Sequence, residues 1–175
     1  LGRCHRTALV LWETGDHDAR LLAVLLEQPR LVEDRQLDRW VETAADVALV
    51  DRLCLEVVMA TPWARVKVGD WARHPQALVR RAAYVVLRAL ARCDREMTDA
   101  DFIPWSDAIP SMAGREEPVV RAAMLAALSA IGERNAALRQ RVLSAASRLR
   151  CVSTASLRPS PPALRATAGD WRPMG

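Results

Sequence analysis

From residue 7 to residue 149 apolar side chains recur at intervals of three and four, and each run stops at a proline, a glycine or a residue able to cap a helix. That spacing puts the apolar side chains on one face of an α-helix. Helices are expected over 7–13 and 16–27, separated by Gly15, with Asp16 as the cap of the second and Pro29 beyond its end. Others are expected over 33–43, with Leu37, Trp40 and Val41 on one side, and over 47–59, with Asp46 as cap and Thr61-Pro62 beyond. The segment 63–73 stops at His74-Pro75, because a proline disfavours the helical conformation in the residue before it. Helices at 77–91, 98–112, 118–132 and 135–149 follow. No strand-like alternation of useful length interrupts them, so the fold class is all-α. From Cys151 onward the period stops, and Pro159, Pro161 and Pro162 with Ser153, Thr154 and Ser156 predict a disordered tail over 151–175 behind a helical domain over 1–150.

Two of these helices repeat one another. ALVRRAAYVVLRALA (77–91) and PVVRAAMLAALSAIG (118–132) align without a gap at an offset of 41 residues. Val79 falls on Val120, Arg80 on Arg121, Ala82 on Ala123, Leu87 on Leu128 and Leu90 on Ile131. The offset is the length of a HEAT or armadillo unit, so the chain is expected to be a HEAT-like helical repeat, an α-α superhelix of stacked hairpins. The second helix of each pair lines the concave face of such a stack, and the side chains there decide what is bound.

Composition narrows the class. At 175 residues and 51% hydrophobic the chain can bury one sizeable core and is too apolar for disorder throughout. Apolar runs such as 21–26 are far shorter than a membrane span, which predicts no membrane partner and a cytoplasmic protein. The chain starts at Leu1 with the helical pattern running by Thr7, so further helices are expected upstream. Cysteines at 4, 54, 93 and 151 form no CxxC pair and have no histidine at ligand spacing, which predicts no metal site. Cys54 and Cys93, inside apolar helical patterns, are expected as reduced core residues. No oligomerisation signal is present, and a monomer is expected. The formal charge is only +4, with Lys67 the single lysine beside 24 arginines. So small a total supplies little electrostatic steering, and any nucleic-acid surface must come from where the arginines lie.

Arg80 and Arg81 fall in the first turns of one repeat helix and Arg121 in the first turn of the next. A cation at a helix N-terminus is unfavourable by roughly 0.3 to 1 kcal/mol. Its repetition is consistent with a phosphate backbone crossing successive helix starts, or with arginines that bond the preceding hairpin. Asp51, in ALVDRLCLEVV, is a candidate carboxylate for stabilising a cationic sugar or orienting water, or else the partner of Arg52 or another arginine. Trp40, Trp71 and Trp105 occupy core-like positions rather than base-stacking ones, and His17 reads as a hydrogen-bonded helix-start residue.

LWETGDHDARLLAVLL (11–26), LDRWV (37–41), ALVDRLC (48–54), WARHPQALVRRAAYVVL (71–87) and VVRAAMLAALSAIGERN (119–135) together resemble, in order and spacing over about residues 5–150, the AlkD-like DNA alkylation repair family. The resemblance implies a HEAT-like repeat DNA glycosylase that hydrolytically excises positively charged N3- and N7-alkylated purines. Alkylated duplex DNA is the implied partner, and no metal or redox cofactor is implied. The resemblance puts the family's catalytic aspartate, from its Trp-Asp-Leu-x-Asp motif, on Asp51, and the phosphate-gripping arginine of its Arg-Arg pair on Arg81. DNA backbone contacts are then expected from Arg80, Arg81 and Arg121. The chain departs from the family where the motif's tryptophan falls on Val47 and its first aspartate on Ala48. It departs again where the second cleft tryptophan falls on Ala126 and an arginine three residues on falls on Ser129. Each lost aromatic wall removes about 1 to 2 kcal/mol of cation–π stabilisation, a rate effect of about tenfold to thirtyfold. Two function classes stay open: a DNA-binding glycosylase of altered or residual activity, and a catalytically degenerate nucleic-acid-binding or protein-interaction scaffold.

Overall fold

Short polar side chains start three of the described helices. A computed structural model describes residues 2–151, with side chains described through 147. Helix α1 (His5–Glu13) is followed by a turn in which Gly15 takes φ +76°, a conformation that favours glycine. Asp16 then accepts a hydrogen bond from Ala19 N at 2.9 Å and starts α2 (His17–Leu26). After α3 (Asp34–Thr43), Asp46 accepts from Ala48 N and Leu49 N at 2.7 and 3.0 Å to start α4 (Val47–Glu56). Helices α5 (Ala64–Trp71) and α6 (Ala77–Cys93) follow. A reciprocal capping box between Thr98 and Asp101 opens α7 (Asp99–Ala113). Pro118, whose missing N–H is harmless at a first helical position, opens α8 (Pro118–Glu133), and α9 (Ala136–Cys151) closes the stack.

Two expectations need correcting. The helix expected over 47–59 ends at Glu56, and a 3-10 turn, Val58–Ala60, follows, with the Thr61 hydroxyl bonded back to Val58 O at 2.7 Å. Cys93 is exposed rather than buried, because it is the terminal residue of α6, two positions past Ala91, where the buried face of the helix ends, while Cys54 is fully buried. The segment from residue 152 of the expected tail lies outside the described residues.

Helix α1 packs on α2, α5 on α6 and α7 on α8, while α2, α4, α6 and α8 form an inner row in which each touches the next. Helix α3 packs on α6, and α9 covers α7 and α8. All described helices therefore belong to a stack with one core, and no strand occurs among them. Trp12 and Trp40 stack with ring centroids 4.2 Å apart and planes 4° from parallel, joining α1 to α3. Tyr84 meets Trp105 edge-on at 6.1 Å and joins α6 to α7. Trp40, Trp71 and Trp105 are core residues, as their sequence positions predict. No described helix is long and apolar enough to cross a membrane.

Candidate nucleic-acid interface

Asp51 and Arg81 each take the fifth position of their helix, so the side-by-side packing of α4 and α6 brings them level. Arg81 Nε donates to Asp51 Oδ1 at 2.8 Å and Nη2 donates to Oδ2 at 2.7 Å, a two-pronged fork on one carboxylate. The remaining terminal nitrogen donates to Val119 O at 2.7 Å, in the first turn of α8. One guanidinium thus bridges three helices of the inner row. The Arg81 side chain is 13% exposed and that of Asp51 33%, so the pair sits at the surface without being open to water on all sides. Arg52 pairs with Glu56 instead. Beneath the fork, burial pushes the Cys54 thiol well up, Asp51 adding to the push and Arg81 opposing it. Cys54 is therefore held as a thiol.

Arg80 and Arg121 both occupy the fourth position of their helices and turn back toward the preceding hairpin. Arg80 Nη1 donates to His74 O and Pro75 O at 2.9 and 2.6 Å, and the rest of its guanidinium reaches Glu116 and Glu117. Arg121 donates to Ala113 O at 3.0 Å and Glu116 O at 2.8 Å. Arg20, fourth in α2, does the same with Trp12 O at 3.2 Å and Thr43 O at 2.8 Å. These carbonyls lie at or just past the C-terminal ends of outer helices, where the dipole favours a cation. The charge that looks misplaced at the start of one helix is well placed for the end of another. Sequence reasoning missed Arg20, although HDAR opens its helix as PVVR opens α8.

A second feature missed in the sequence is the rest of the Arg81 stripe. Arg88 and Arg92 follow Arg81 at helical spacing, so the three share a face of α6 over about 16 Å at a rise of ~1.5 Å per residue. Arg88 is exposed and carries no hydrogen bond or ion pair among the described residues. Arg92 meets Glu133 at 3.3 Å with both side chains about half exposed. The Ser129 hydroxyl and Arg92 hold the Glu133 carboxyl below its ordinary range.

The sequence model of a family described as DNA alkylation repair enzyme matches residues 2–159. The chain belongs to that family. A solved structure described as a new family of proteins related to the HEAT-like repeat DNA glycosylases, with affinity for branched DNA structures, matches with a TM-score of 0.77. The two chains are 16% identical, and the match covers 85% of this chain and 64% of the other, so this chain spans less than two thirds of that protein's length. The likeness establishes the HEAT-like fold. No curated protein matches the sequence.

In this member of the alkylation repair family the two positions expected to carry cleft tryptophans present no ring. Val47 is the half-buried first residue of α4, and Ala126 is half-buried in α8. Trp12, Trp40, Trp71 and Trp105 are inside the core, and Trp63 is packed against it. His17 Nδ1 lies 2.9 Å from Asp46 Oδ2 and joins the start of α2 to the cap of α4. Among the described residues no group of three or more His, Cys, Asp or Glu side chains is placed to hold a metal ion. What the inner face offers is a held carboxylate, a guanidinium fork and two outlying cations.

Proposed function

We propose that this family member binds DNA on its inner face through the sugar-phosphate backbone, as a monomer, along the Arg81, Arg88 and Arg92 stripe, with Arg121 at the start of α8. Arg80, engaged by four acceptors, fixes the first turn of α6 beside that track. The observation that carries the reading is the alignment of three guanidiniums on the central inner helix. Contacts of this type position a duplex without reading its sequence, and ligands are then selected by shape. The affinity for branched DNA ascribed to the structurally similar protein supports a junction as the preferred shape.

The Asp51–Arg81 pair favours a second reading, excision of cationic alkylated purines. A phosphate competing for the Arg81 fork would release a carboxylate to face the positive charge that develops on the sugar as the base departs. Only Asp51 then does chemistry, and the cation–π walls at positions 47 and 126 are lacking.

The test measures affinity for a four-way junction and for plain duplex between 50 and 200 mM salt. Arg88→Ala with Arg92→Ala is expected to weaken binding to both and to reduce the log–log salt slope by about 2, since each neutralised phosphate contributes ~0.9. An unchanged slope refutes the phosphate track. Release of 7-methylguanine from alkylated duplex that disappears in Asp51→Asn establishes excision. No release from a folded wild-type chain leaves the binding protein.

A further inference from the structure

A recess lies on the outer side, between α1 and α3, with neither Asp51 nor Arg81 in its lining. It encloses about 320 Å³ and is lined by His5 and Leu9 of α1, Leu31 of the 3-10 turn Pro29–Leu31, and Arg35, Gln36 and Arg39 of α3. Arg35 and Arg39 stand one helical turn apart on the same face, and both are exposed. Neither guanidinium makes a hydrogen bond or ion pair among the described residues, whereas those of Arg20, Arg80, Arg81, Arg121 and Arg134 are all held by protein acceptors. Two guanidiniums left open on the wall of a recess are available to an anion from outside.

The back of the recess is built on a buried charge. Glu27 is fully buried and accepts three hydrogen bonds, from His5 Nδ1 at 2.6 Å, Gln28 N at 2.7 Å and Gln36 Nε2 at 2.7 Å. A carboxylate buried at this depth is costly unless its acceptor sites are filled, and here they fix two recess-lining side chains. The proton of His5 is placed on Nδ1, which leaves Nε2 as the unclaimed ring nitrogen. The Gln36 amide is oriented in the same way. Glu33 also lines the recess and reduces the net positive charge, so a diffuse cation–anion attraction would be weak and directed contacts must carry recognition.

A pocket of similar size near the ends of α6 and α8 lacks these properties. Its volume is about 340 Å³, but Arg134 donates to Ala91 O, Asp94 O and Met97 O, Asn135 donates to Asp99, and Arg92 meets Glu133. Its donors are already taken.

We propose that the α1–α3 recess binds a nucleotide unit, its phosphate on Arg35 and Arg39 and its base or sugar against Leu9 and Leu31. The phosphate chemistry follows from paired forks on one helix face. A bare phosphate leaves most of 320 Å³ empty and gives the two leucines nothing to cover, so the phosphate is carried on a larger group that lays one face on the leucines and turns polar edges to His5 and Gln36. A free mononucleotide and the phosphorylated end of a DNA strand share that chemistry.

Calorimetric titration with a nucleoside 5′-monophosphate, and anisotropy with 5′-phosphorylated against 5′-hydroxyl duplex, separate the two sources. Each is run on the wild type, on Arg35→Gln with Arg39→Gln, and on Arg88→Ala with Arg92→Ala. The first double variant alters exposed, unpaired side chains, and its fold is checked by circular dichroism. Loss of two charge-assisted contacts is expected to weaken mononucleotide binding, and to reduce the preference for the phosphorylated over the hydroxyl end, about tenfold or more in the first variant; the second variant lowers affinity for both duplexes alike and leaves mononucleotide affinity and that preference unchanged. Binding of the mononucleotide identifies a free nucleotide as ligand, and a preference for the phosphorylated end alone identifies a DNA terminus. Wild-type affinity retained by the first variant, or no binding of either ligand, overturns the proposal. Failure of the inner-face reading shows instead in the junction assay with the second variant.

Discussion

Breaking the Asp51–Arg81 fork should cost more than an ordinary surface ion pair and less than a buried one. Exposed pairs are worth about 0 to 1 kcal/mol, and breaking a buried pair costs roughly 3 to 5. At 33% and 13% exposure, with two hydrogen bonds of 2.8 and 2.7 Å, this pair should couple by about 2 kcal/mol. Arg81→Gln also loses the bond to Val119 O, worth about 1 kcal/mol more, so it should cost about 3. Asp51→Asn should cost about 2, and the double variant about 3, because the second substitution removes a partner already gone. Urea unfolding followed at 222 nm on the four proteins yields the coupling directly. A coupling under about 0.5 kcal/mol would mean that the fork is a loose surface pair, and the picture of one guanidinium clamping three inner helices would fail. Repeating the cycle with a DNA junction present should shrink the coupling if phosphate takes over the Arg81 fork.

Arg134, which holds three carbonyls and lies 4.5 Å over Phe102, should lose about 2 to 4 kcal/mol on replacement by alanine. Arg121→Ala, with two carbonyls and a largely exposed side chain, should lose about 1, and urea midpoints in the opposite order would refute the assignment. Trp40→Ala should cost about 3 to 5 kcal/mol and remove the near-ultraviolet signal of the Trp12–Trp40 stack, and retention of that signal would place its source elsewhere. Iodoacetamide should label Cys4 and Cys93 in the native protein and Cys54 only after unfolding, as peptide mass spectrometry would report. The hydrogen bond from the Thr7 hydroxyl lowers the Cys4 thiol, so more thiolate is present at a given pH and alkylation should begin at lower pH than for an ordinary cysteine. Thr7→Val should move that profile upward, and an unmoved profile would assign the shift to another cause.

The helices were legible because their signals are local. Asp16, Asp46 and Thr98 mark starts within a residue of those observed, and Pro29 and His74-Pro75 mark stops. The repeat at 77–91 and 118–132 was legible for the same reason, since α6 and α8 are the most closely packed neighbours of the inner row. What could not be read was pairing across helices. Thirty residues separate Asp51 from Arg81, and nothing in ALVDRLC says that the partner is Arg81 rather than Arg52. Buried charges were equally silent. Nothing in the sequence around Glu27 or Lys67 marks them as buried, yet both are, Lys67 against Asp38 at 2.7 and 2.8 Å. Cys93 keeps the apolar spacing of α6 but is its terminal residue, just past the last buried position, Ala91, so the period alone overstates its burial.

The same cross-helix pairing explains how a chain of formal charge +4 supports two separate anion-binding proposals. Most of its well-placed arginines work inside the protein. Arg20, Arg80, Arg121 and Arg134 saturate carbonyls at or just beyond helix ends, as lysine, with a single compact ammonium, does less well than a planar fork. Total charge is therefore a poor guide here, because these cations are already matched. The relevant quantity is which guanidiniums are left without a protein acceptor, and among these Arg88, Arg35 and Arg39 lie at the two proposed sites. They fall in two places, one on the inner row and one on the outer side. A ligand that touches both must leave the inner face in more than one direction, which a straight duplex does not do and a branched one does. If inner and outer sites act on one molecule, removing Arg35 and Arg39 should weaken binding to a four-way junction while sparing a straight duplex with 5′-hydroxyl ends, and unchanged binding of both would separate the two sites.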